Sequence, residues 1–324
     1  MSARPAWIGE ADVSSLLSMA DAIDVLDRAY RLQETGEASN MPRAHLREGA
    51  SILHAVGGAI PGAGVAGTKT WIHTPLGAAP LLVLFDLERG HVCAVVEAFA
   101  LGQMRTAATS GLATRYLARE DSETLAVLGT GKQSVSQAEA ILCERPIERI
   151  RLFGRDASRR AACAERMRSR LGVEVEEFGE VGEAVAGADV VTAITRASEP
   201  ILFGEMLEQG QHVNGVGAIV PNRRELSANV AARADLVVVD SVAQAEDDAG
   251  ELRAAAEQGL LEWGAVHSLG SIVTSSVPSR AADSQITLFK SLGIGVSDVA
   301  LGAELVARFS EAPADGELEQ ARTT

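Results

Sequence analysis

Two groups of residues in this 324-residue chain are suited to chemistry: a glycine turn and a few isolated cations. The turn is VLGTGKQS, in which Gly129 and Gly131 close a short apolar run. In such a turn the first glycine bends the chain sharply out of a strand. The second lets the backbone approach a pyrophosphate, which the N-terminus of the next helix stabilises. Ser134 occupies the third place of the fingerprint, where Gly or Ala is usual, and is small enough to keep helix against strand. Thr130, Lys132 and Gln133 in the same turn, with Thr195 and Gly217 farther along, complete the expected dinucleotide contacts. The cations are Arg43 in MPRAHL, Lys69 in GTKTW and Arg105 in GQMRTAATSG. Taken singly, each fits an ordinary surface or interface charge better than a ligand. Arg105 is the most suggestive, because its neighbours are Thr, Ala, Ser and Gly. A guanidinium fork is the natural partner of a carboxylate.

The end of the second strand bears on the choice of dinucleotide. An acid about 20 residues past the turn would hold the ribose 2′-hydroxyl of NAD. Counted on from Ser134, that place falls on Gly154, and Arg155 follows it. An arginine there can stack on adenine and pair with a 2′-phosphate, and Ser158 and Arg159 stand close by. NADP(H) is therefore expected over NAD(H). The competing reading shifts the register so that Asp156 takes the ribose. Two other glycine pairs are set aside as phosphate turns. Gly215-Val-Gly217 runs into Pro221 rather than a helix, so Gly217 is expected to line the cleft at a strand end. Residues 57–67 lack strand–turn–helix order and read as a hairpin or loop.

The elements that position these residues can be read from periodicity. Residues 10–35 repeat apolar side chains near helical spacing, with Asp12 and Asp21 as expected N-caps. From about 41 to 96, short apolar runs alternate with Gly- and Pro-rich breaks, as in a mostly antiparallel sheet. Residues 97–118 suggest one or two helices of small residues. A second rhythm starts at Thr124. TLAVLG, RIRLFG, VEVEEF, ADVVTAIT, HVNGVGA, ADLVVVD and ITLFKSL read as strands, with a helix over 157–171. Strands alternating with helices predict a doubly wound parallel sheet. The domain border is expected near 118. The segment LGIGVSDVALGAELVARF reads as a helix that returns to the first domain, and the last dozen residues read as a frayed polar tail. The expected organisation is a first domain of 1–118 plus about 293–324 and a dinucleotide domain of 119–292.

Composition narrows the partners. A net charge of −15 disfavours nucleic acid and anionic membrane, and leaves room for a small anionic substrate in a locally positive pocket. Three cysteines, with neither CxxC pairing nor metal spacing, fit a reducing cytoplasm and predict no metal site. No apolar run approaches the roughly 18 residues of a membrane span, and the N-terminus lacks a signal pattern.

GTKTW, LGQMRTAATSGLATRYLA, VLGTGKQS, GVGAIVPNRREL and ITLFKSLGIGVSDVA occur in one order. In that order the chain resembles the ornithine cyclodeaminase/mu-crystallin family from roughly 41 to 305. The resemblance implies a Rossmann domain joined to a smaller α+β domain that binds substrate and forms a homodimer. It implies hydride transfer between NAD(P)H and the Cα of an α-imino acid or cyclic ketimine, or the reverse amino-acid dehydrogenation. Arg43 and Arg105 would grip the α-carboxylate, Lys69 would sit beside the reacting carbon and nitrogen, and Ser291 is expected on the substrate side. A lysine whose pKa is lowered by neighbouring arginines can serve as base or proton relay. Cyclodeaminases of the family carry an aspartate two residues before the proline of the GAxxP block, where this chain has Ile219. An aliphatic side chain cannot orient an amine, so the cyclodeaminase reading ranks second, and a non-catalytic ligand-binding protein is the other alternative. His73 could point into the pocket but fits a structural or exposed role better, Glu97 could be buried near it, and Glu225 could substitute for the missing acid but reads better as a surface or helix-start acid.

Overall fold

Period-two alternation shapes the first sheet. The computed structural model describes residues 4–311. The strands are β1 (Ala6–Ile8), β2 (Ser39–Glu48), β3 (Ser51–Ile60), β4 (Val65–His73), β5 (Leu81–Asp86) and β6 (Val92–Glu97). They form one sheet in the order β1-β6-β5-β4-β3-β2, antiparallel except that β1 runs parallel to β6. The 57–67 stretch thus holds the facing ends of β3 and β4 and the hairpin turn between them. In the middle strands, side chains such as Ile60, Val65, Leu82 and Leu84 point into one core.

That core is closed by helices α1 (Glu10–Leu16), α2 (Met19–Glu34) and α3 (Phe99–Leu117). The helical stretch expected over 10–35 is two helices, separated where Leu17 turns extended at φ −123° and ψ 126°. The N-caps are Gly9 and Ser18, not Asp12 and Asp21. Each aspartate lies three residues inside its helix and accepts the backbone N–H of the cap, at 2.9 Å for Gly9 and 3.0 Å for Ser18. This is the acid's place in a capping box.

From β7 (Thr124–Leu128) the chain alternates: α4 (Ser134–Glu144), β8 (Arg149–Phe153), α5 (Ala157–Leu171), β9 (Glu174–Phe178), α6 (Val181–Val185) and β10 (Val190–Ala193). Then come β11 (His212–Gly215), α7 (Ala228–Arg233), β12 (Leu236–Val239), α8 (Val242–Asp248), α9 (Gly250–Glu257), β13 (Val266–Ser268), α10 (Leu269–Val273) and β14 (Thr287–Lys290). All eight strands are parallel, in the order β13-β12-β14-β11-β10-β7-β8-β9. The chain leaves β7 toward β8 on one side and later returns as β10 on the other. The crevice beyond the carboxyl ends of β7 and β10 is therefore a topological switch point, where doubly wound sheets bind ligands.

The last described helix, α11 (Gly295–Glu311), crosses back onto β3, β4 and β5. Its first residue must be glycine: a Cβ on Gly295 would stand 2.1 Å from the carbonyl oxygen of Gly57. The 312–324 tail lies outside the described residues. No described helix is long and apolar enough to cross a membrane.

Candidate active site

The glycine turn sits between the ends of β8 and β10. Gly129 has φ +131°, and a Cβ there would meet the Ile194 carbonyl oxygen at 2.5 Å, so both backbone conformation and space demand glycine. Gly131 differs: nothing lies within 4 Å of where its Cβ would be, and its backbone is open to approach. The 11-residue helix α4 begins three residues later, behind the N-cap Gln133. Ser134 is fully buried, and its hydroxyl donates to the Gly129 carbonyl at 2.8 Å. The third fingerprint place thus keeps its tight packing and gains a bond that fastens the turn to the helix.

A cleft of about 540 Å³ lies in front of the turn, lined by Gln103, Thr130, Gly131, Lys132, Val135, Arg159 and Arg166. Lys132 Nζ lies 5.0 Å from the centroid of the Phe99 ring. The open backbone, the helix N-terminus and the basic wall can hold the pyrophosphate and ribose of a dinucleotide. A Cβ on Gly154 would stand 2.5 Å from Thr130 Cγ2, so the expected acid position is closed to any side chain. Arg155 is exposed. Asp156 caps α5, one oxygen accepting the Arg159 N–H at 2.8 Å.

Thr195 and Gly217 lie at the ends of β10 and β11, and their backbone N–H groups both donate to the Glu225 carboxylate, as does that of Ala218 at 3.1 Å. Glu225 is fully buried, which corrects its reading as a surface or helix-start acid. Burial pushes its carboxyl pKa up, even with Lys290 nearby. The staple ties together the chain leaving β10 and the chain leaving β11.

The three cations converge. Lys69 is buried on β4, and its Nζ donates to Asp298 Oδ1 of α11 at 2.5 Å. Arg105 on α3 donates Nε–H to the same oxygen at 3.2 Å. Arg43 sits at a bulge of β2 between Met41 and Ala44 and donates to the carbonyls of Leu292, at 2.5 Å, and Gly293, at 3.2 Å. Two buried polar atoms here have no partner among the described residues, Arg43 Nε and Asp298 Oδ2. Burial, then the Arg105 charge, lowers the Lys69 pKa to about 8, with Asp298 opposing. Burial pushes Asp298 up, but the Arg105 and Lys69 cations outweigh it and hold its carboxyl low.

Asp240 secures the loop that both arginines touch. It accepts the backbone N–H groups of Leu292 and Gly293, the Ser291 hydroxyl at 3.3 Å and the Tyr30 hydroxyl at 3.1 Å. Ser291 is buried and turned to Asp240 beneath the loop. His73 is exposed. Glu97 is held by the N-terminal segment, accepting the Glu10 N–H at 3.2 Å and the Trp7 indole N–H at 3.4 Å, so it is not a pocket residue. Asp298, Asp240 and Glu225 are the carboxylates that sequence reasoning missed or misread. Asp298 and Asp240 meet Lys69 and Leu292 across 229 and 52 residues, and Glu225 reaches Thr195 across 30 as well as the nearer Gly217 and Ala218.

The parallel sheet, its switch-point turn and the second, mixed sheet define a Rossmann-type α/β protein with an accessory α+β unit. The chain belongs to the ornithine cyclodeaminase/mu-crystallin family, whose profile matches residues 6–311. A Δ1-pyrroline-2-carboxylate reductase of Bacillus cereus is 36% identical over 74% of this chain and 74% of its own length. A structure of Thermococcus litoralis Δ1-pyrroline-2-carboxylate reductase in complex with NADH and L-proline superposes with a TM-score of 0.91 at 26% identity, covering 94% of this chain and 98% of that one. An archaeal alanine dehydrogenase dimer with bound NAD superposes at 0.88 with 26% identity, covering 95% of this chain and 96% of that one.

Proposed function

We propose that this protein is an NAD(P)H-dependent reductase of an α-imino acid or cyclic ketimine, working also in the reverse, amino-acid dehydrogenase direction. The observation that carries the reading is the pair of orphaned buried atoms in one cluster. Arg43 Nε is a donor without an acceptor, and Asp298 Oδ2 is an acceptor without a donor. A carboxylate answers the first and a protonated nitrogen the second, and an α-imino acid carries both on one carbon. The N-terminal end of α3 joins this cluster to the dinucleotide cleft. A Cβ on Gly102 would lie 3.7 Å from Lys69 Nζ, and the next residue, Gln103, lines the cleft.

A bound reduced nicotinamide dinucleotide supplies the hydride. The arginines hold the carboxylate and so fix the C=N carbon, which is chiefly orientation. As that carbon is reduced, the C=N electron pair moves onto nitrogen, and Lys69 Nζ is placed to donate a proton there. Asp298 orients Lys69 and offsets positive charge beside Arg105. Ile219, 41% exposed beyond β11, supplies no carboxylate for deamination chemistry.

The finer reading of the cofactor is NADP(H). It is supported by the closed position at Gly154, the engagement of Asp156 in capping, and Arg159 and Arg166 on the cleft wall. We assign substrate binding and dimerisation to residues 1–118 plus about 293–324, and the dinucleotide to 119–292. Leu46, Leu53 and Ile72, cross-strand neighbours on the outer face of the first sheet, are 64%, 41% and 49% exposed. That apolar row supports a homodimer. Three free thiols suit a reducing compartment, and a cytoplasmic location belongs to the proposal. The test is NADPH and NADH oxidation with Δ1-pyrroline-2-carboxylate, cyclic ketimines and pyruvate–amine mixtures. Wild type turns over at least one imine, and Arg105→Ala loses most kcat/KM. Failure with every imine, alongside ammonia release from ornithine, overturns the reading.

A further inference from the structure

Asp240 follows β12 directly and is fully buried, and among the described residues no cation stands within ion-pair distance of it. Its donors are neutral. Oδ2 accepts the Ser291 hydroxyl at 3.3 Å and the backbone N–H groups of Leu292 and Gly293, and Oδ1 accepts the Tyr30 hydroxyl at 3.1 Å. A buried carboxylate thus rests in a nest of dipoles, three of them from one loop.

The other side of that loop holds an arginine. The Gly293 N–H and the Leu292 carbonyl belong to one peptide unit, and in a trans peptide the two point opposite ways. The N–H donates to Asp240. The carbonyl accepts Arg43 Nη2 at 2.5 Å, and the Gly293 carbonyl adds a longer bond at 3.2 Å. A single peptide therefore lies between the anion and the guanidinium. Hydrogen bonds in such a chain polarise one another, so the Asp240 charge strengthens the carbonyl that holds Arg43. Burial lowers the Arg43 pKa, and Asp248 and Asp240 push it back. The same loop packs on the second arginine: Gly293 has φ +79°, and a Cβ there would overlap the Arg105 guanidinium.

A carboxylate bonded directly to Arg43 would fix it, but would also fill donors that a substrate carboxylate needs. Asp248, the acid nearest Arg43, stands off at 3.9 Å. Neutral carbonyls, polarised from behind by Asp240, instead fix Nη2 and leave Nε without an acceptor. We propose that Asp240 is a positioning residue for the substrate: through the 292–293 peptide it sets Arg43 in place to receive the α-carboxylate. The proposal rests on the reading of Arg43 as a carboxylate ligand in an imine reductase and deepens it. Lys69 is held separately, by Asp298, so the effect of Asp240 falls on substrate binding rather than on proton transfer.

The test compares wild type, Asp240→Asn, Arg43→Lys and the double variant. Asparagine can keep its oxygen toward the loop N–H groups and turn its NH2 to the Tyr30 oxygen, so Asp240→Asn removes charge and retains the bonds. Kinetics are measured with NADPH and Δ1-pyrroline-2-carboxylate, and L-proline is titrated calorimetrically into the NADP⁺-loaded proteins. Asp240→Asn raises KM and the L-proline Kd about tenfold, the difference between a charge-reinforced contact and a neutral one, with kcat and NADPH affinity within about twofold. In the Arg43→Lys background the same change costs less than about threefold, because the effect runs through Arg43. In NMR of wild type labelled at the arginine nitrogens, the Nε–H signal that Arg43→Lys removes is ordered before ligand arrives and moves downfield with L-proline. Full multiplication of the two substitutions, a loss carried by kcat or by NADPH affinity, or an Arg43 signal as mobile as those of exposed arginines overturns the proposal. No NADPH oxidation with any imine is the separate failure of the imine-reductase reading, and takes the proposal with it.

Discussion

Asp298→Asn isolates the charge that Lys69 and Arg105 share while nearly preserving shape. In the wild type Lys69 has a pKa of about 8, with burial and Arg105 pulling it down and Asp298 pulling it up. On the proposed chemistry the ammonium form donates the proton in imine reduction. Reduction therefore declines as pH rises through about 8, and amine oxidation, which needs neutral Lys69, rises through the same pH. The Lys69–Asp298 contact is 2.5 Å and buried. An opposite charge that close shifts a buried amine by at least about one pKa unit, or about 1.4 kcal/mol. In Asp298→Asn both inflections therefore move down, to about 7 or lower. At pH 7.5 the protonated fraction of Lys69 falls from about three quarters to about one quarter, a roughly threefold loss of reduction rate before any loss of orientation. The assay is kcat/KM against pH in both directions, for wild type and variant. An unmoved inflection, or one that moves up, refutes the assignment of Lys69 as the proton donor tuned by Asp298.

Gly129→Ala forces an L side chain to φ +131° and drives its Cβ against the Ile194 carbonyl. It should lower stability by roughly 2 kcal/mol and weaken NADPH binding at least about tenfold, read by thermal unfolding and fluorescence titration. Arg159→Ala, on the cleft wall, should cut the NADPH-to-NADH preference about tenfold; a wild type that favours NADH sinks the arginine reading. Leu53→Glu places a charge in the middle of the outward apolar row. Light scattering should then report monomer in place of dimer, and an unchanged mass would move the interface elsewhere.

The Rossmann half was readable because its signals are local. Asp156 and Gly172 bracket the 157–171 helix as N-cap and left-handed C-cap, the residue types that end helices. The strand after Thr124 and its glycine turn lie within a few residues of each other. The N-terminal caps were misread because Asp is a good N-cap and also the right residue three places in, and only geometry separates the two. The short strand β1 escaped notice because three residues carry no period, and it exists by pairing with β6. The cations were visible as residue types, yet their convergence depends on α11 crossing β4 and on the loop held by Asp240. Neither arrangement leaves a trace in local spacing. Ser134 looked like a flaw in the fingerprint, and burial with a bond to Gly129 makes it part of the turn.

The central claim is hydride delivery to the Cα of an imino acid without deamination. It is tested most directly with NADPH carrying two deuteriums at C4 and a ketimine substrate, with the product examined by mass spectrometry. Hydride transfer to Cα places one deuterium on that carbon of the amino-acid product and yields stoichiometric NADP⁺. Unlabelled product, or ammonia released from a diamino acid with no net change in NADPH, would contradict it.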